Sequence, residues 1–333
     1  MAAAVNDVWN FCGESQEHAR RWNRRWPSGF DLINLTSGSS RELGLHSDTV
    51  QAVCKQFAIS RDRARRRPRW RGKGSLGWVP FQSARAIQLD RDAVVFLGKR
   101  YRLWLSRPVD GTTRAGSFAR DARGNWYLNL QVELRPDHKC GTGEVGIDLG
   151  LKTLATLSTG EKIEAPRHFL RHAKALATAQ RAGNKRRARA IHAKIAHCRR
   201  HFLHGVSARL VRENHRIVVG NVNSAALART RMAKSVLDAG WSMLREQLRY
   251  KALRHGARYV EADERWTTQV CSGCGAVSGP KGIAHLGVRG WECGKCGVQH
   301  DRDTNAAINI LVSGRNVGLQ LTEISALPGQ RRR

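Results

Sequence analysis

The pattern of apolar and polar positions predicts a group of β-strands in the second half of the chain. The run Val145-Gly146-Ile147-Asp148-Leu149-Gly150 is apolar apart from one carboxylate, which is typical of a buried strand, and a second strand is predicted over residues 153–157. A turn at Ser158-Thr159-Gly160 then leads into a short third strand. An aspartate inside an apolar strand is costly unless it is paired or binds a metal ion, so Asp148 is a candidate functional residue.

Helical periodicity dominates the residues that follow these strands. Residues 167–214 are strongly basic and break near Gly183-Asn184, which predicts a helical hairpin whose Lys and Arg side chains line a nucleic-acid channel or form a solvated face. The next predicted elements are a strand over 217–219, a helix over 235–255, a strand over 259–262 and a helix over 306–311. This order of three strands, helix, strand, helix, strand and helix resembles a ribonuclease H-like domain.

The first 140 residues have a β-rich pattern with many Arg and Trp residues and a short helical part near the start. Strands are predicted over 94–97, 101–105 and 125–132, between turn signals. Before them, a basic run over residues 61–74 also contains Trp70 and glycines. Such a run can track a phosphate backbone and offer a stacking surface, or it can be a solvated loop. The candidate nucleic-acid-binding residues are Arg65, Arg66, Arg67, Arg69, Arg71 and Lys73.

Composition indicates the kind of partner. The 333 residues include 58 Lys and Arg against 27 Asp and Glu, which gives a formal net charge of +31. Because such a chain repels itself unless a polyanion neutralises it, we expect a nucleic acid as its companion. No apolar run approaches the ~20 residues of a membrane span, and residues 1–10 lack a signal-peptide pattern, so no membrane partner is expected. The scattered thiols are interpreted as inert ones in a reducing compartment, and they are Cys12, Cys54, Cys140 and Cys198.

Four further cysteines form two CxxC pairs near the C-terminal end. Cys271 and Cys274 are followed, after eighteen residues, by Cys293 and Cys296. Four thiolates at this spacing can close a tetrahedron around one ion, so the four are predicted to hold a structural Zn²⁺ in a ribbon. The alternative is a set of redox or disulfide cysteines, but duplicate CxxC pairs at ribbon spacing rarely serve as disulfides.

An acidic segment follows the second CxxC pair and opens an apolar helix. It reads His300-Asp301-Arg302-Asp303-Thr304-Asn305-Ala306-Ala307. A metal-stapled loop directly before an acidic helix start indicates a nuclease-type carboxylate site with a zinc ribbon inserted into it. The alternative role of Asp303 is a helix N-terminal cap, and both roles can hold together, with Asp301 as the more ordinary cap or turn residue.

These motifs together resemble a known family. The run around Asp148, the CxxC pairs and the segment over 301–307 are similar to the TnpB (OrfB) proteins of insertion sequences, which are RNA-guided, RuvC-type DNA nucleases related to type V CRISPR effectors and Fanzor proteins. The resemblance is strong over residues 140–312, where Tyr250-Lys251-Ala252 and Thr267-Thr268-Gln269 also match. It implies a fold class of α/β plus β, in which an N-terminal wedge-like β-barrel with a helical insertion precedes a ribonuclease H-like (RuvC) domain carrying a zinc-ribbon insertion.

The same resemblance implies the domain bounds. Residues 1–140 are expected to form the wedge and recognition module, which grips guide RNA and reads a motif beside the DNA target. Residues 141–266 and 298–320 are expected to form the RuvC domain, residues 267–297 the zinc ribbon, and residues 321–333 a basic tail. Met1 falls almost at the first helix, so we expect the family's opening β-strand to be missing.

The carboxylates of the RuvC site follow from the motif match. Asp148 supplies the first and Asp303 the last of the carboxylates that hold two Mg²⁺ ions around the scissile phosphate. The family usually places a glutamate at the end of the fourth strand, where this chain has Gly220 and Asn221. Gly220 has no ligand and Asn221 has no charge, so either the nuclease is inactive or another carboxylate fills the gap.

The fifth strand offers that carboxylate. If it lies parallel to the fourth strand, its C-terminal end opens at the same edge of the sheet, and Glu264 reaches over the missing side chain of Gly220. A rearranged glutamate of this kind is known in some TnpB and Fanzor branches. Glu261 is the second candidate, and a surface turn glutamate on an inactive nuclease is the remaining interpretation of Glu264.

The function implied by the resemblance is that of a Mg²⁺-dependent, RNA-guided DNA endonuclease of a transposable element. Its cofactors are expected to be structural Zn²⁺, catalytic Mg²⁺ and a guide RNA. Its partners are an omega-type guide RNA from its own element and double-stranded target DNA, met in the bacterial cytoplasm at the nucleoid. The alternative is a nuclease-dead, RNA-guided DNA-binding repressor, because the usual glutamate is Gly220. From composition alone, the rival is a generic basic DNA-binding protein or a guide-free transposase.

Overall fold

The computed structural model describes residues 1–105, 108–222, 227, 229–230, 232–281 and 287–316. Within the chain there are two compact units, Met1–Arg135 and Pro136–Arg333. The predicted basic tail over 321–333 and the last residues of the predicted RuvC segment, 317–320, lie outside the described residues. None of the helices in the described part of the chain is long and apolar enough to cross a membrane.

Four helices open the first unit, so its helical part is longer than the sequence pattern predicts. They are α1 (Ala2–Arg21), α2 (Gly29–Leu35), α3 (Ser39–Glu42) and α4 (Ser47–Ala64). A capping box starts α2, because the Ser28 hydroxyl accepts from the Asp31 amide and the Asp31 carboxylate accepts from the Ser28 amide. The apolar stripes of α1 and α4 share one core, in which Val5 and Phe57 are completely buried.

Two antiparallel sheets complete the first unit. One has the order β1-β5-β6, and the other is the meander β2-β3-β4. Phe96 and Phe118 pack with their ring centres 5.1 Å apart, one from each sheet. The predicted β-rich module is present, but in the part of the unit that the structure describes the two sheets form no closed barrel. The strands are β1 (Trp78–Phe81), β2 (Ile87–Asp90), β3 (Ala93–Phe96), β4 (Lys99–Arg102), β5 (Thr112–Arg120) and β6 (Trp126–Glu133).

The second unit is built on a five-stranded mixed sheet of order β11-β10-β7-β8-β9. Strands β7, β8 and β9 form an antiparallel meander, whereas β10 lies parallel to both β7 and β11. All five strands occur at the predicted places in the chain. They are β7 (Gly143–Leu149), β8 (Thr153–Leu157), β9 (Lys162–Glu164), β10 (Asn214–Gly220) and β11 (Arg258–Ala262).

Helices cover both faces of this sheet. The hairpin of α5 (His168–Arg181) and α6 (Lys185–Glu213) confirms the prediction. The single helix predicted over 235–255 is instead two helices, α7 (Ala233–Ala239) and α8 (Trp241–His255), because Gly240 between them adopts φ +70°, a conformation that ends a helix. On one face, α6 and α8 contribute fully buried side chains to the main core, among them Leu210 and Leu244.

The last helix, α9 (Arg302–Asn316), packs on the opposite face of the sheet. Its approach to β7 is close, because a Cβ on Gly146 would lie 2.8 Å from Leu311 Cβ and closer still to the Ala307 carbonyl oxygen. Only glycine fits at this crossing. The hairpin β12 (Gly290–Glu292) and β13 (Gln299–Asp301) leads directly into α9, so the start of this helix lies beside the ribbon.

Candidate functional site

Asp148 lies one residue before the end of the central strand β7. Its backbone pairs with Thr156 of β8, and the next strand on the other side is β10. The pKa of Asp148 is raised to about 8, chiefly by burial and additionally by the negative charges of Glu264 and Asp303. The charges of Glu264 and Asp303 therefore both act on Asp148, although among the described residues the three carboxylates do not converge within 4.8 Å.

Glu264 occupies the space above Gly220. A Cβ built on Gly220 would lie 2.6 Å from Glu264 Cγ and 2.7 Å from its Cδ, so a side chain at position 220 and the present Glu264 exclude each other. Because β10 and β11 are parallel, both C-terminal ends open at one edge of the sheet, as the sequence argument requires. The glutamate lies where a carboxylate at the end of β10 would project.

The surroundings of Glu264 hold its backbone but leave one carboxylate oxygen without a partner. The Glu264 amide donates to Asn221 Oδ1 at 3.4 Å, and the Asn221 amide donates to the Ala262 carbonyl at 2.9 Å. Burial raises the pKa of Glu264, and the Val222 amide lowers it by hydrogen bonding. Among the described residues, Oε1 of Glu264 is buried with no hydrogen-bond partner. An unpaired buried acceptor beside two other carboxylates is suited to a cation.

Glu261, the second candidate, is used elsewhere. Its carboxylate accepts from Arg249 at 2.7 Å, from Arg245 at 3.5 Å and from the Tyr259 hydroxyl at 2.9 Å. Glu261 is the fourth residue of β11, and its side chain lies in an ion-pair cluster with Arg245 and Arg249 of α8. Of the two glutamates, Glu264 is the one that adjoins Gly220.

The two aspartates at the start of α9, Asp301 and Asp303, have different roles. Asp301 caps the helix, because its Oδ1 accepts from the Thr304 amide at 2.9 Å and from the Thr304 hydroxyl at 3.0 Å. Asp303, in the first turn, is thereby free of the capping role. Its two carboxylate oxygens accept from Nη1 of Arg289 at 2.9 and 2.8 Å. Arg289 precedes β12 of the ribbon, and nothing in the sequence pattern singled it out.

The carboxylates have the right chemistry for Mg²⁺, which prefers hard oxygen ligands and usually binds through few carboxylates. Burial is the largest cause of the raised pKa of Asp148, the charges of Glu264 and Asp303 add to it, and those of Arg302 and Arg289 oppose it. Oε1 of Glu264 has no hydrogen-bond partner among the described residues. The residues present therefore fit a divalent cation. Asp148, Glu264 and Asp303 are the side chains that can hold it.

The four CxxC cysteines converge on one point. Their sulfur atoms lie within 4.8 Å of one another, and they form the one group of three or more potential ligands that meets so closely among the described residues. The sulfurs of Cys271 and Cys296 are 3.7 Å apart, and those of Cys274 and Cys293 are 3.6 Å apart. Tetrahedral bonds of ~2.3 Å to one Zn²⁺ give sulfur separations of about 3.8 Å, so the cluster fits zinc.

Neighbouring polar groups orient two of these sulfurs. Ser278 Oγ lies 3.2 Å from Cys293 Sγ, and this hydrogen bond is the main cause that lowers the pKa of Cys293 to about 5, with help from backbone amides. His300 Nε2 lies 3.0 Å from Cys271 Sγ. Hydrogen bonds to a thiolate favour the deprotonated form that binds metal.

The basic run of the first unit is fixed to helix α1 at one end. Asn10 brackets the Arg71 backbone, because its side chain donates to the Arg71 carbonyl at 2.8 Å and accepts from the Arg71 amide at 2.9 Å. The Arg71 guanidinium donates to Asn6 and lies 5.7 Å from the rings of Trp9 and Trp78. Arg71, a predicted nucleic-acid contact, is therefore already hydrogen-bonded inside the first unit. The other candidates are exposed, and they are Arg65, Arg66, Arg67, Arg69 and Lys73.

Two family models match parts of this chain. Residues 128–231 match a family described as "Probable transposase" (OrfB_IS605), and residues 241–310 match the "Cas12f1-like, TNB domain". The first match covers β7 to β10 and the basic hairpin. The second covers α8, β11, the four cysteines and Asp303. The two matches together include every residue of the two candidate metal sites.

Relatives and a solved structure agree with these models. A Streptomyces pristinaespiralis protein named "Putative RNA-guided DNA endonuclease" is 40% identical over 59% of this chain, and the match spans about half of that relative, 52%. The similarly named InsQ of Escherichia coli K12 is 29% identical over 89% of this chain and 80% of its own length. A solved Cas12f1–sgRNA–target DNA complex has a protein chain that superposes with a TM-score of 0.58 at 13% identity, covering 93% of this chain and 80% of its own.

The fold is thus Cas12f-like, an α/β architecture with mixed sheets. The similarity in sequence reaches the same elements that carry the carboxylates and the cysteines. The resemblance inferred from the motifs is confirmed, because the chain matches the OrfB_IS605 and Cas12f1-like TNB family models and is similar to proteins named RNA-guided DNA endonucleases.

Proposed function

We propose that this protein is an RNA-guided DNA endonuclease of a transposable element, of the branch in which the RuvC glutamate has moved to the fifth strand. The observation that carries the proposal is the position of Glu264, whose side chain fills the space above Gly220 beside Asp148 and Asp303. A third carboxylate restores the donor set that two-metal phosphodiester hydrolysis requires. The names of the relatives describe the same activity.

In the proposed reaction each carboxylate has a distinct position. Asp148 comes from the central strand, Glu264 from the turn after β11 and Asp303 from the first turn of α9. Asp148, Glu264 and Asp303 would hold Mg²⁺, which would supply Lewis-acid chemistry for hydrolysis of a phosphodiester. Arg289, which donates to both oxygens of Asp303, is about half exposed and can also contact a phosphate.

The proposed nucleic-acid partners are an omega-type guide RNA and double-stranded target DNA. The net charge of +31 calls for a polyanion, and the α5–α6 hairpin contains no Asp or Glu between Glu164 and Glu213. The β-rich first unit is assigned to RNA gripping and to the motif beside the target. Such a protein acts at the bacterial nucleoid, where its target lies.

The experiment that tests the function uses protein expressed with its flanking element. Sequencing of the co-purified nucleic acid is expected to give one dominant RNA species, and a DNA duplex matching that RNA is expected to be cut only when Mg²⁺ is present. Random co-purified fragments favour a generic basic DNA-binding protein. A complex that binds its matched duplex tightly without cutting it favours the repressor, the alternative that the glycine at position 220 raises.

A further inference from the structure

Two asparagines tie the turn after β11 to helix α9. The Asn305 side chain is 1% exposed, and its Nδ2 donates to the Thr267 and Val270 carbonyl oxygens at 3.0 and 2.8 Å. One helical turn later, Asn309 Nδ2 donates to the same two oxygens at 2.8 and 2.7 Å. Two side-chain amides therefore hold the same two carbonyls of a short segment against the helix.

This segment also fixes the position of Glu264. The Glu264 carbonyl accepts from the Thr267 hydroxyl at 2.8 Å and from the Thr267 amide at 3.3 Å, which closes a tight turn. Inside the turn, Trp266 adopts φ +67°, a left-handed conformation that a bulky side chain takes only where its surroundings impose it. Because both asparagines hold the Thr267 carbonyl, they restrain the backbone three residues from the carboxylate.

The other end of the clamp reaches Asp303 and the ribbon. Asn305 lies two residues after Asp303 on α9, so the two belong to the same helical turn. Its Oδ1 accepts from the Ser272 amide at 2.9 Å, inside the first CxxC pair. The asparagine thus joins the helix of one carboxylate, the turn of another and the zinc knuckle.

We propose that Asn309, together with Asn305, is a positioning residue that sets the separation of the Glu264 and Asp303 carboxylates. The inference rests on the proposed function, since both groups are assigned there to Mg²⁺. A metal ligand at position 220, the last residue of β10, would be held by the hydrogen bonds of the sheet. Glu264 instead lies two residues beyond Ala262, the residue of β11 that pairs with Gly220. Metal ligands must be held within about 0.5 Å, and the amide pair supplies the restraint that the sheet does not.

The test compares Asn309→Ala with Asn184→Ala in the protein loaded with guide RNA. Asn184 caps α6 by accepting from the Arg187 amide at 2.9 Å, so its variant loses a side-chain-to-backbone hydrogen bond in the same unit without touching the clamp. For Asn309→Ala, the Mg²⁺ concentration that half-saturates cleavage is expected to rise about 10-fold or more, as when other partners of metal ligands are removed. The KM for target DNA is expected to stay unchanged in Asn309→Ala, and Asn184→Ala is expected to leave the Mg²⁺ requirement unchanged.

Hydrogen exchange gives a readout that does not depend on cleavage. The amides of Thr267, Gln269 and Val270 bond within the clamped turn, and they are expected to exchange faster in Asn309→Ala while its zinc content stays that of the wild type. An unchanged Mg²⁺ requirement, or unchanged exchange in the turn, overturns the inference. Asn305→Ala is expected to show the same effects and to weaken zinc binding as well, and if it fails to fold, the Asn309 variant still decides.

Failure of the inference and failure of the proposed function give different results. A wild type that cuts no matched DNA at any Mg²⁺ concentration overturns the function and, with it, the assignment of the clamp to metal geometry. A wild type that cuts, with an Asn309→Ala variant that cuts equally well at low Mg²⁺, leaves the function standing and removes the clamp.

Discussion

Gly220 and Ala262 are the last paired residues of the parallel strands β10 and β11, and they lie side by side at the edge of the sheet. Glu264 lies two residues beyond Ala262, and its amide donates a hydrogen bond to Asn221 Oδ1 at 3.4 Å. From there its side chain folds back over the glycine. The register of the two strands therefore explains how a residue that follows one strand occupies the space beyond the end of the other.

Replacing Glu264 by glutamine is expected to reduce guided cleavage by about 100-fold or more, because a few kcal/mol of transition-state stabilisation are lost with a metal ligand. Glu261→Gln is the matched control, since it removes the same charge three residues earlier in the chain, from the cluster with Arg245 and Arg249. Single-turnover cleavage of matched DNA measures both. Full activity in Glu264→Gln contradicts the assignment of this residue.

The relocated carboxylate can be moved back. Gly220→Glu alone is expected to be destabilised and inactive, because the new side chain collides with Glu264. Combining it with Glu264→Gly is expected to recover at least about a tenth of the wild-type rate, since the carboxylate again projects into the same space. The measurement is guided cleavage by both variants with their zinc content verified. A double variant as inactive as Glu264→Gly shows that the two positions are not interchangeable.

Asp148→Asn is expected to stabilise the Mg²⁺-free protein while abolishing cleavage. The pKa of Asp148 is raised from its ordinary value of ~3.9 to about 8, so the folded state holds a proton that the unfolded chain releases. Stability therefore falls as pH rises from about 4 towards 8, and the variant escapes this loss. At pH 7.5 we expect a higher Tm for the variant, by about 2–4 °C per kcal/mol recovered.

Thermal unfolding with and without Mg²⁺ checks this reasoning. Mg²⁺ is expected to raise the Tm of the wild type and to leave that of Asp148→Asn unchanged, because the cation binds the charged form. Near pH 4 the two proteins are expected to unfold at similar temperatures. A variant that is less stable than the wild type at pH 7.5 contradicts the raised pKa.

Cys296→Ser is expected to lose zinc and, with it, DNA cleavage. The Cys296 sulfur lies 3.7 Å from that of Cys271, whose neighbour Ser272 is bonded to Asn305 on α9. A loosened ribbon therefore releases one of the anchors of α9, and we expect at least about a 10-fold loss of cleavage rate. Cys198→Ser on α6 is the control that leaves the zinc content at one per chain. Elemental analysis and cleavage assays decide, and normal zinc in Cys296→Ser contradicts the site.

Arg66→Ala and Arg71→Ala are expected to fail in different ways. Arg71 is bonded inside the unit and near two tryptophan rings, so its loss is expected to cost about 1–3 kcal/mol of stability. Arg66 is exposed, and its loss is expected to weaken RNA binding without lowering Tm, with a salt-dependence slope smaller by about one. Urea denaturation and RNA titrations at several salt concentrations separate the two. Equal effects of both variants contradict the distinction.

Much of the second unit could be predicted because its strands and cysteines carry strong local signals. An apolar run interrupted by Asp148, two CxxC pairs and the acidic start of α9 identify the sheet centre, the ribbon and the last helix. Glu264 required one further step, since parallel strands end at the same edge. The first unit was harder to predict from the sequence, because α1 and α4 are amphipathic helices that pack against strands distant in sequence.

The contacts that tune the site could not be predicted. The pairing of Arg289 with Asp303 depends on the path of the ribbon, and the shared carbonyls of Asn305 and Asn309 depend on a turn in another segment. Arg71 differs from its basic neighbours only through the tryptophans that tertiary structure brings to it. Such pairings have no fixed spacing in the chain, so periodicity and motifs do not reveal them.

The steric exclusion between Gly220 and Glu264 bears on how related chains are sorted into active and inactive groups. An inspection of the fourth strand alone counts this chain among those that have lost a ligand. The meaningful unit is the pair of positions, because a glycine at one makes room for a carboxylate from the other. Related sequences that lack a glutamate at the first position can be screened for a small residue there and an acidic residue at the second.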